Sequence, residues 1–215
     1  MEPFSFSELL NTLDKPGSSK HKKSLIQSTT ANDTLTCFQI TQVIEKLNFS
    51  KDKLPILEHL FPKVSDQENL FQIMELFDFG PDQKKAKTLL GQPKDIETAL
   101  KSKSVASSQN ANLQQDAMKN SSFSALLDAL GEQKFPKDQL YLVEVAVFRN
   151  TFTSTQVVQL LEKFNFPRYK LKALKILRYQ IIDPENHFLL LKVFKHGLNK
   201  KRASALLNDE ENELQ

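Results

Sequence analysis

The chain has 215 residues, a formal net charge of +3, 40% apolar residues, five Gly, no Trp and one Cys. That length suits one large domain or two of about 100 residues. The lone Cys37 rules out an intrachain disulfide, so a reducing compartment, cytoplasm or nucleus, is expected. A transmembrane helix needs about 18 or more uninterrupted apolar residues. The densest window, "HFLLLKVF", is far shorter and contains Lys192, and the opening "MEPFSFSELL" lacks the basic-then-apolar order of a secretory signal.

With so few Gly to build tight hairpins, and with abundant Leu, Lys, Glu and Gln, an all-α fold is expected. An opening helix is expected around residues 7–13 and a second around 21–30. A third starts where Thr36 and Gln39 form a capping box, the hydroxyl and the amide each satisfying a backbone group that the first turn leaves unpaired. Its apolar positions Ile40, Val43, Ile44 and Leu47 recur at i, i+3, i+4 and i+7 and mark one buried face. Leu54, Leu57 and Leu60 mark the next helix. "SDQENLF" then offers Asp66 as an N-cap ahead of a face made of Phe71, Met74 and Phe77, and the Leu89–Leu90 pair closes the series.

The series then begins again. Shifted by 117 residues, Phe6, Leu9, Leu10 and Leu13 fall on Phe123, Leu126, Leu127 and Leu130, and "TLTCFQITQVIEKLNF" (34–49) falls on "TFTSTQVVQLLEKFNF" (151–166). Thr153 and Gln156 repeat the capping box, Val157, Leu160, Leu161 and Phe164 repeat the stripe, and Leu171, Leu174 and Leu177 follow. "IDPENHF" repeats the next start, with Asp183 as N-cap, Pro184 at the first helical position and the face Phe188, Leu191 and Phe194. Leu206 and Leu207 close the copy. A constant offset over most of a domain's length indicates a duplicated domain. The expected architecture is two homologous domains of five or six short helices each, 4–92 and 121–207. A polar linker, 93–120, joins them, with a helical turn near "DIETALK", and an acidic tail, 208–215, follows.

The order "FS-x-LL", "T-x-T-x-x-Q-x-x-x-x-x-EK-x-NF", "KL", "D-x-EN-x-F" and a closing Leu pair resembles, in both copies, the small helical domain of unknown function DUF4476. The resemblance implies the helical fold and carries no catalytic or binding residue onto this chain. The first copy departs from it at "DKPGSS" (14–19), where the second reads "GEQKFP" and supplies Phe135 as an extra core residue.

The chemistry is sparse. There is no phosphate-cradling Gly loop, no G-x-S-x-G and no H-E-x-x-H, so the chain is read as non-enzymatic, with no cofactor and no metal. His21, His59, His187 and His196 sit at non-equivalent positions in the two copies, and Cys37 is replaced by Ser154. The Asp66/Glu68 and Asp183/Glu185 pairs are read as helix-start chemistry rather than an acid–base pair.

Charge separates the copies. Residues 4–92 carry 11 Lys and Arg against 11 Asp and Glu, whereas residues 121–207 carry 14 against 7. Arg168, Lys170, Lys172, Lys175, Lys200, Lys201 and Arg202 form a candidate surface for an anion, whether nucleic acid, acidic lipid or an acidic protein segment. Against this stands the reading of these residues as solvated helix faces partly covered by the acidic tail, without exposed aromatics between them. "KHKK" (20–23) is too short to serve as an address. The expected role is an interaction or adaptor protein with a protein partner, and the anion-binding role through the second copy is its rival.

Overall fold

Short helices make up the regular structure of the described residues, and side-chain caps at Ser18, Thr36 and Thr153 open three of them. A computed structural model describes residues 3–77, 81–90 and 116–208, and the chain divides after residue 92 into two units. The helical turn expected near "DIETALK" and the tail beyond residue 208 lie outside the described residues. The first unit contains α1 (Pro3–Asp14), α2 (Ser19–Thr29), α3 (Cys37–Glu45), α4 (Ser50–Leu60), α5 (Leu70–Met74) and α6 (Pro81–Leu89). The second contains α7 (Asn120–Glu132), α8 (Pro136–Arg149), α9 (Ser154–Glu162), α10 (Pro167–Leu177), α11 (Phe188–Leu191) and α12 (Gly197–Leu207). The fold is all-α. Short 3-10 turns precede α5 and α11 in equivalent places.

The doubled phrase folds as its spacing predicts. In α3 the Thr36 hydroxyl accepts from the Gln39 amide at 3.2 Å, and the Thr36 amide donates to Gln39 Oε1 at 3.0 Å. In α9, Thr153 and Gln156 repeat both bonds at the same distances. The stripes Ile40, Val43, Ile44, Leu47 and Val157, Leu160, Leu161, Phe164 are buried. Within the first unit α3 packs on α4 and α5, and α4 packs on α2 and α6. Within the second, α9 packs on α10 and α11, and α10 packs on α8 and α12.

The apolar residue between the two threonines of the phrase does more than fill space. Phe152 is fully buried, its amide donates to the Gln180 carbonyl at 2.8 Å, and its own carbonyl accepts from the Ile182 amide at 3.0 Å. Leu35 makes the same parallel bridge in the first unit, bonding Lys63 and Ser65 at 2.9 Å each. In the second unit Thr151 also accepts the Met118 amide at 2.8 Å on its carbonyl, and donates its hydroxyl to Asp116 at 2.8 Å. Met118 lies in a stretch that the sequence reads as linker, yet it is buried, and its carbonyl accepts from Gln156 Nε2 at 2.9 Å.

Three expectations need correction. Asp66 and Asp183 do not cap the turns that follow them. Instead the Asp66 carboxylate accepts the Cys37 amide at 2.6 Å, and the Asp183 carboxylate accepts the Ser154 amide at 2.5 Å, so each holds the first turn of a helix 29 residues away. A 3-10 turn of three residues leaves few unpaired amides to cap, whereas the longer α3 and α9 leave four. Second, Phe135 is no core residue: at the N-terminal edge of α8 it is 63% exposed. Third, Phe188 is 56% exposed, Leu191 is half-buried, and Leu190 is buried in their stead. Residues two apart lie on nearly opposite sides of a helix; the five-residue α5 buries both Phe71 and Ile73, whereas the four-residue α11 buries Leu190 and leaves Phe188 out.

The units also solve one packing problem differently. Lys23 on α2 pairs at 2.5 Å with the buried Asp52 of α4, and this bond holds the Asp52 carboxyl below its ordinary range against the upward push of burial. The equivalent positions in the second unit are Leu140, half-buried on α8, and Tyr169, buried on α10, so an ion pair there has become an apolar contact position. Lys23→Ala is expected to destabilise the first unit by about 2 kcal/mol, less than a fully buried pair would give because Lys23 is partly solvated. Lys23→Leu combined with Asp52→Tyr, the residues of the second unit, is expected to stay within about 1 kcal/mol of wild type, because replacing both partners strands no charge. Urea melts of the full chain check both values.

Candidate functional site

In the first unit, α4 and α6 enclose an open groove of about 670 Å³. Lys51, Leu54, Pro55 and Glu58 line one wall, and Asp82, Lys84, Lys85, Thr88 and Leu89 line the other. Leu54 and Leu89 are half-buried at its floor, while the charged residues stand at its rim. The rim carries three cations and two carboxylates.

The same two helices pack together in the second unit as α10 and α12. Carried across by the 117-residue offset, the lining positions become Arg168, Leu171, Lys172, Lys175 on α10 and Asn199, Lys201, Arg202, Ala205, Leu206 on α12. Leu171 and Leu206 are half-buried like their counterparts, and Arg168, Lys172, Lys201 and Arg202 are exposed. These positions carry five cations and no carboxylate, and they are not all as open as in the first unit: Lys175 is half-buried and Ala205 buried where Glu58 and Thr88 are exposed. Neither α10 nor α12 contains an Asp or Glu anywhere along its length.

Of the seven basic residues singled out in the sequence, five therefore fall on this one surface. Arg168, Lys172 and Lys175, spaced i, i+4 and i+7, share one face of α10. Lys170 lies on the opposite side of that helix and is half-buried. Its counterpart Lys53 donates to the Leu76 carbonyl at 3.2 Å, just beyond the end of α5, so this position does structural work. Lys200 is exposed at the position of Gln83, which does not line the groove. The groove residues of the first unit, Lys51, Lys84 and Lys85 among them, were not foreseen. Their signal was available: the charge difference between the copies, placed on the duplicated register, concentrates at these positions.

Exposed aromatics do accompany the basic residues, contrary to expectation. Phe166, 54% exposed at the edge of α10, has the Arg168 guanidinium 6.0 Å from its ring centre, and Phe188 has Lys192 at 5.4 Å. Arg168 and Lys172 also lie 4.9 and 5.6 Å from the ring of Tyr169, which is buried beneath them. The counterpart of Phe166, Phe49, is exposed as well and has Lys51 at 5.5 Å. Arg178 donates to the Leu206 carbonyl and, at 2.5 Å, to the Tyr179 hydroxyl, which ties the end of α10 to the last turn of α12.

A family model for a domain of unknown function, DUF4476, matches residues 1–90 and again residues 117–207. The chain belongs to this family, as two DUF4476 domains in tandem. No curated protein and no solved structure matches it. In both DUF4476 domains the fourth and sixth helices pack together, and the equivalent positions along them differ in charge and, at Lys175 and Ala205, in exposure.

Two further reactive groups of the first DUF4476 domain, Cys37 and His59, are engaged in the fold. Cys37 is fully buried, and its thiol donates to the Asp66 carbonyl at 3.2 Å, as the Ser154 hydroxyl donates to Asp183 at 3.1 Å. Burial, reinforced by the negative Asp66, pushes the Cys37 thiol far above its ordinary range, so it stays protonated and is a poor nucleophile. Burial and the positive Lys63 hold His59 below the usual imidazole range, and its Nε2 meets the Thr30 hydroxyl at 3.4 Å. Among the described residues no three His, Cys, Asp or Glu side chains gather as metal ligands would, and no helix is long and apolar enough to cross a membrane.

Proposed function

We propose that this protein is a non-enzymatic adaptor of a reducing compartment such as the cytoplasm, binding protein partners through the surface formed by the fourth and sixth helices of each DUF4476 domain, a groove in the first. The observation that carries the reading is the pattern of divergence. The capping boxes, the buried stripes and the Asp66 and Asp183 bonds are kept in both copies, whereas Pro55, Glu58, Asp82 and Thr88 at the groove have become Lys172, Lys175, Asn199 and Ala205. Residues that only hold a fold together drift within its packing constraints, and a binding surface diverges with its ligand. In the first domain a half-buried apolar floor with a polar rim suits a partner segment laid between two helices. Two such surfaces in one chain can bridge two partners, or grip one partner twice with an affinity above that of either site.

A photo-crosslinking amino acid placed in the full chain tests this. At Thr88 or at Lys201, both exposed at the groove positions, it is expected to form adducts with partner proteins in lysate of the native source. At Asn32 or Glu132, exposed elsewhere in each domain, it is expected to form none of the same adducts. Equal labelling at all four positions would remove these surfaces from the function.

A further inference from the structure

The second unit leaves open an end that the first unit closes with its own side chains. In the first unit Lys46 pairs with Asp14 at 2.8 Å, which ties the turn after α3 to the end of α1. The Ser18 hydroxyl caps α2 by accepting the His21 amide at 3.2 Å, and Lys22 Nζ donates to the Lys46 carbonyl at 3.1 Å. The 117-residue offset puts Gly131 at the place of Asp14, Phe135 at that of Ser18 and Gln139 at that of Lys22, while Lys163 matches Lys46 and Phe166 matches Phe49. The carboxylate and the cap are gone, and an exposed ring stands where the cap was.

We infer that this end of the second unit is the face through which two copies of the chain associate about a two-fold axis, with Phe135 and Phe166 as its anchors. The two turns that carry the rings lie side by side. Gln139 Nε2 donates to the Leu130 carbonyl at 2.9 Å and to the Lys163 carbonyl at 3.3 Å, and a Cβ on Gly131 would stand 3.7 Å from Lys163 Nζ. Both rings are more than half exposed, and each belongs to the residue just before a helix, with Pro136 or Pro167 directly after it. Proline holds its own φ and restricts the residue before it to extended backbone. Each ring is therefore carried on stiff backbone, at φ −115° and −106°, and loses little freedom on docking. One exposed ring on a surface is ordinary. Two on adjacent turns, one of them in place of a helix cap, add nothing to the fold and mark a contact surface.

The charges on these turns decide the occupant. Lys134, Lys137 and Arg168 are exposed cations and Lys163 is a half-buried one, whereas Glu132 and Glu162 are exposed carboxylates and Asp138 is half-buried. A nucleic acid or an acidic bilayer presents one sign of charge and is opposed by Glu132 and Glu162. A second copy presents both signs. In a two-fold contact residue i of one chain meets residue j of the other, and j meets i, so Glu132 of each copy can serve Lys163 or Arg168 of the other as Asp14 serves Lys46 within the first unit. Aromatic side chains and Arg are the residues that most often anchor protein interfaces, and this end offers both inside a rim that complements itself.

Sedimentation velocity of the full chain at rising concentration tests the inference. The mass is expected to climb from that of one chain toward that of two and no further, because a two-fold contact closes on itself. Phe135→Ser with Phe166→Ser is expected to weaken the association by at least about tenfold. Phe38→Ser, which removes an exposed ring from the first unit, is expected to change it by less than about twofold. Glu132→Lys keeps both rings and is expected to weaken it by at least about threefold, so the face is still tested if the double variant fails to fold. A photo-crosslinking amino acid at Glu132 is expected to join two copies of the chain, an adduct told by its mass from those with partner proteins.

A chain that stays single up to about 1 mM overturns the inference, and so does association that the double Ser variant leaves intact. Growth past two chains overturns the two-fold contact. Labelled oligouridylate and phosphatidylserine vesicles stand for the other occupants. If the chain stays single and binds either of them, and the double Ser variant releases it, the face belongs to nucleic acid or membrane instead.

Discussion

Phe152→Ala is expected to remove about 4 kcal/mol of stability from the second domain, within the range for emptying a fully buried aromatic site. The ring is wholly enclosed, and its backbone carries both hydrogen bonds of the bridge to Gln180 and Ile182. Those bonds are made by the main chain and survive the substitution, so the loss measures the side chain alone. A domain of this size is stable by roughly 5–15 kcal/mol in total. The variant should therefore melt on the order of 20 °C lower, at several degrees per kcal/mol. The first domain supplies the control. Leu stands at the equivalent position, Leu35, fully buried and with the same bridge, so Phe152→Leu is expected to cost less than about 1.5 kcal/mol, as a hydrophobic swap that the fold already accommodates. Scanning calorimetry of the full chain measures both. An alanine variant within about 1 kcal/mol of wild type would mean that the bridge segment is not part of the cooperative core.

What could be read from the sequence divides by distance along the chain. The capping boxes and the stripes Ile40 to Leu47 and Val157 to Phe164 were legible because every partner lies within seven residues, where helical geometry dictates the neighbours. The duplication was legible because a fixed offset compares residues without any need for contacts. The bonds from Asp66 to Cys37 and from Asp183 to Ser154 were not, since each spans 29 residues and local rules assign an Asp before a turn to that turn. Phe135 was misplaced for a related reason. Its apolar letter argued for the core, but it stands at the N-terminal edge of α8, where the chain turns outward.

The candidate surface shows the same boundary. That Arg168, Lys172 and Lys175 share a face follows from their spacing, but that Lys201 and Arg202 stand at positions across from them requires knowing that α10 packs on α12. Lys170 belonged to the same basic run by letter and fell on the packed side by angle. The duplication repairs part of this. It shows Lys53 at work on Leu76, and it shows Glu58 and Asp82 where the second domain has Lys175 and Asn199. Comparing the copies thus separates the basic residues that support the fold from those that alter a surface.

Asp183→Ala is expected to destabilise the second domain by about 2 kcal/mol, because hydrogen bonds to a charged group contribute about 1.5–3 kcal/mol and a favourable charge at a helix N-terminus is lost with them. The carboxylate accepts the Ser154 amide at 2.5 Å and the Asn186 side-chain amide at 3.0 Å. Burial pushes its protonation upward, but these bonds outweigh burial and hold the carboxyl below the ordinary range. The sign of the pH dependence follows. With the folded value below the unfolded one, near 4, the stabilisation is fully present above about pH 5 and is lost as pH falls through the folded value. Asp138 on α8 is shifted the other way by burial, so wild type alone would mix the two, and the difference between wild type and Asp183→Asn isolates the one. Asp183→Asn keeps an acceptor for Ser154 and is expected to cost about 1 kcal/mol at pH 7, with the gap closing as the buffer is taken toward pH 3. Guanidinium melts of both proteins across that range measure the gap. A gap that stays constant with pH would show that the shape of the bond, and not its charge, holds the start of α9.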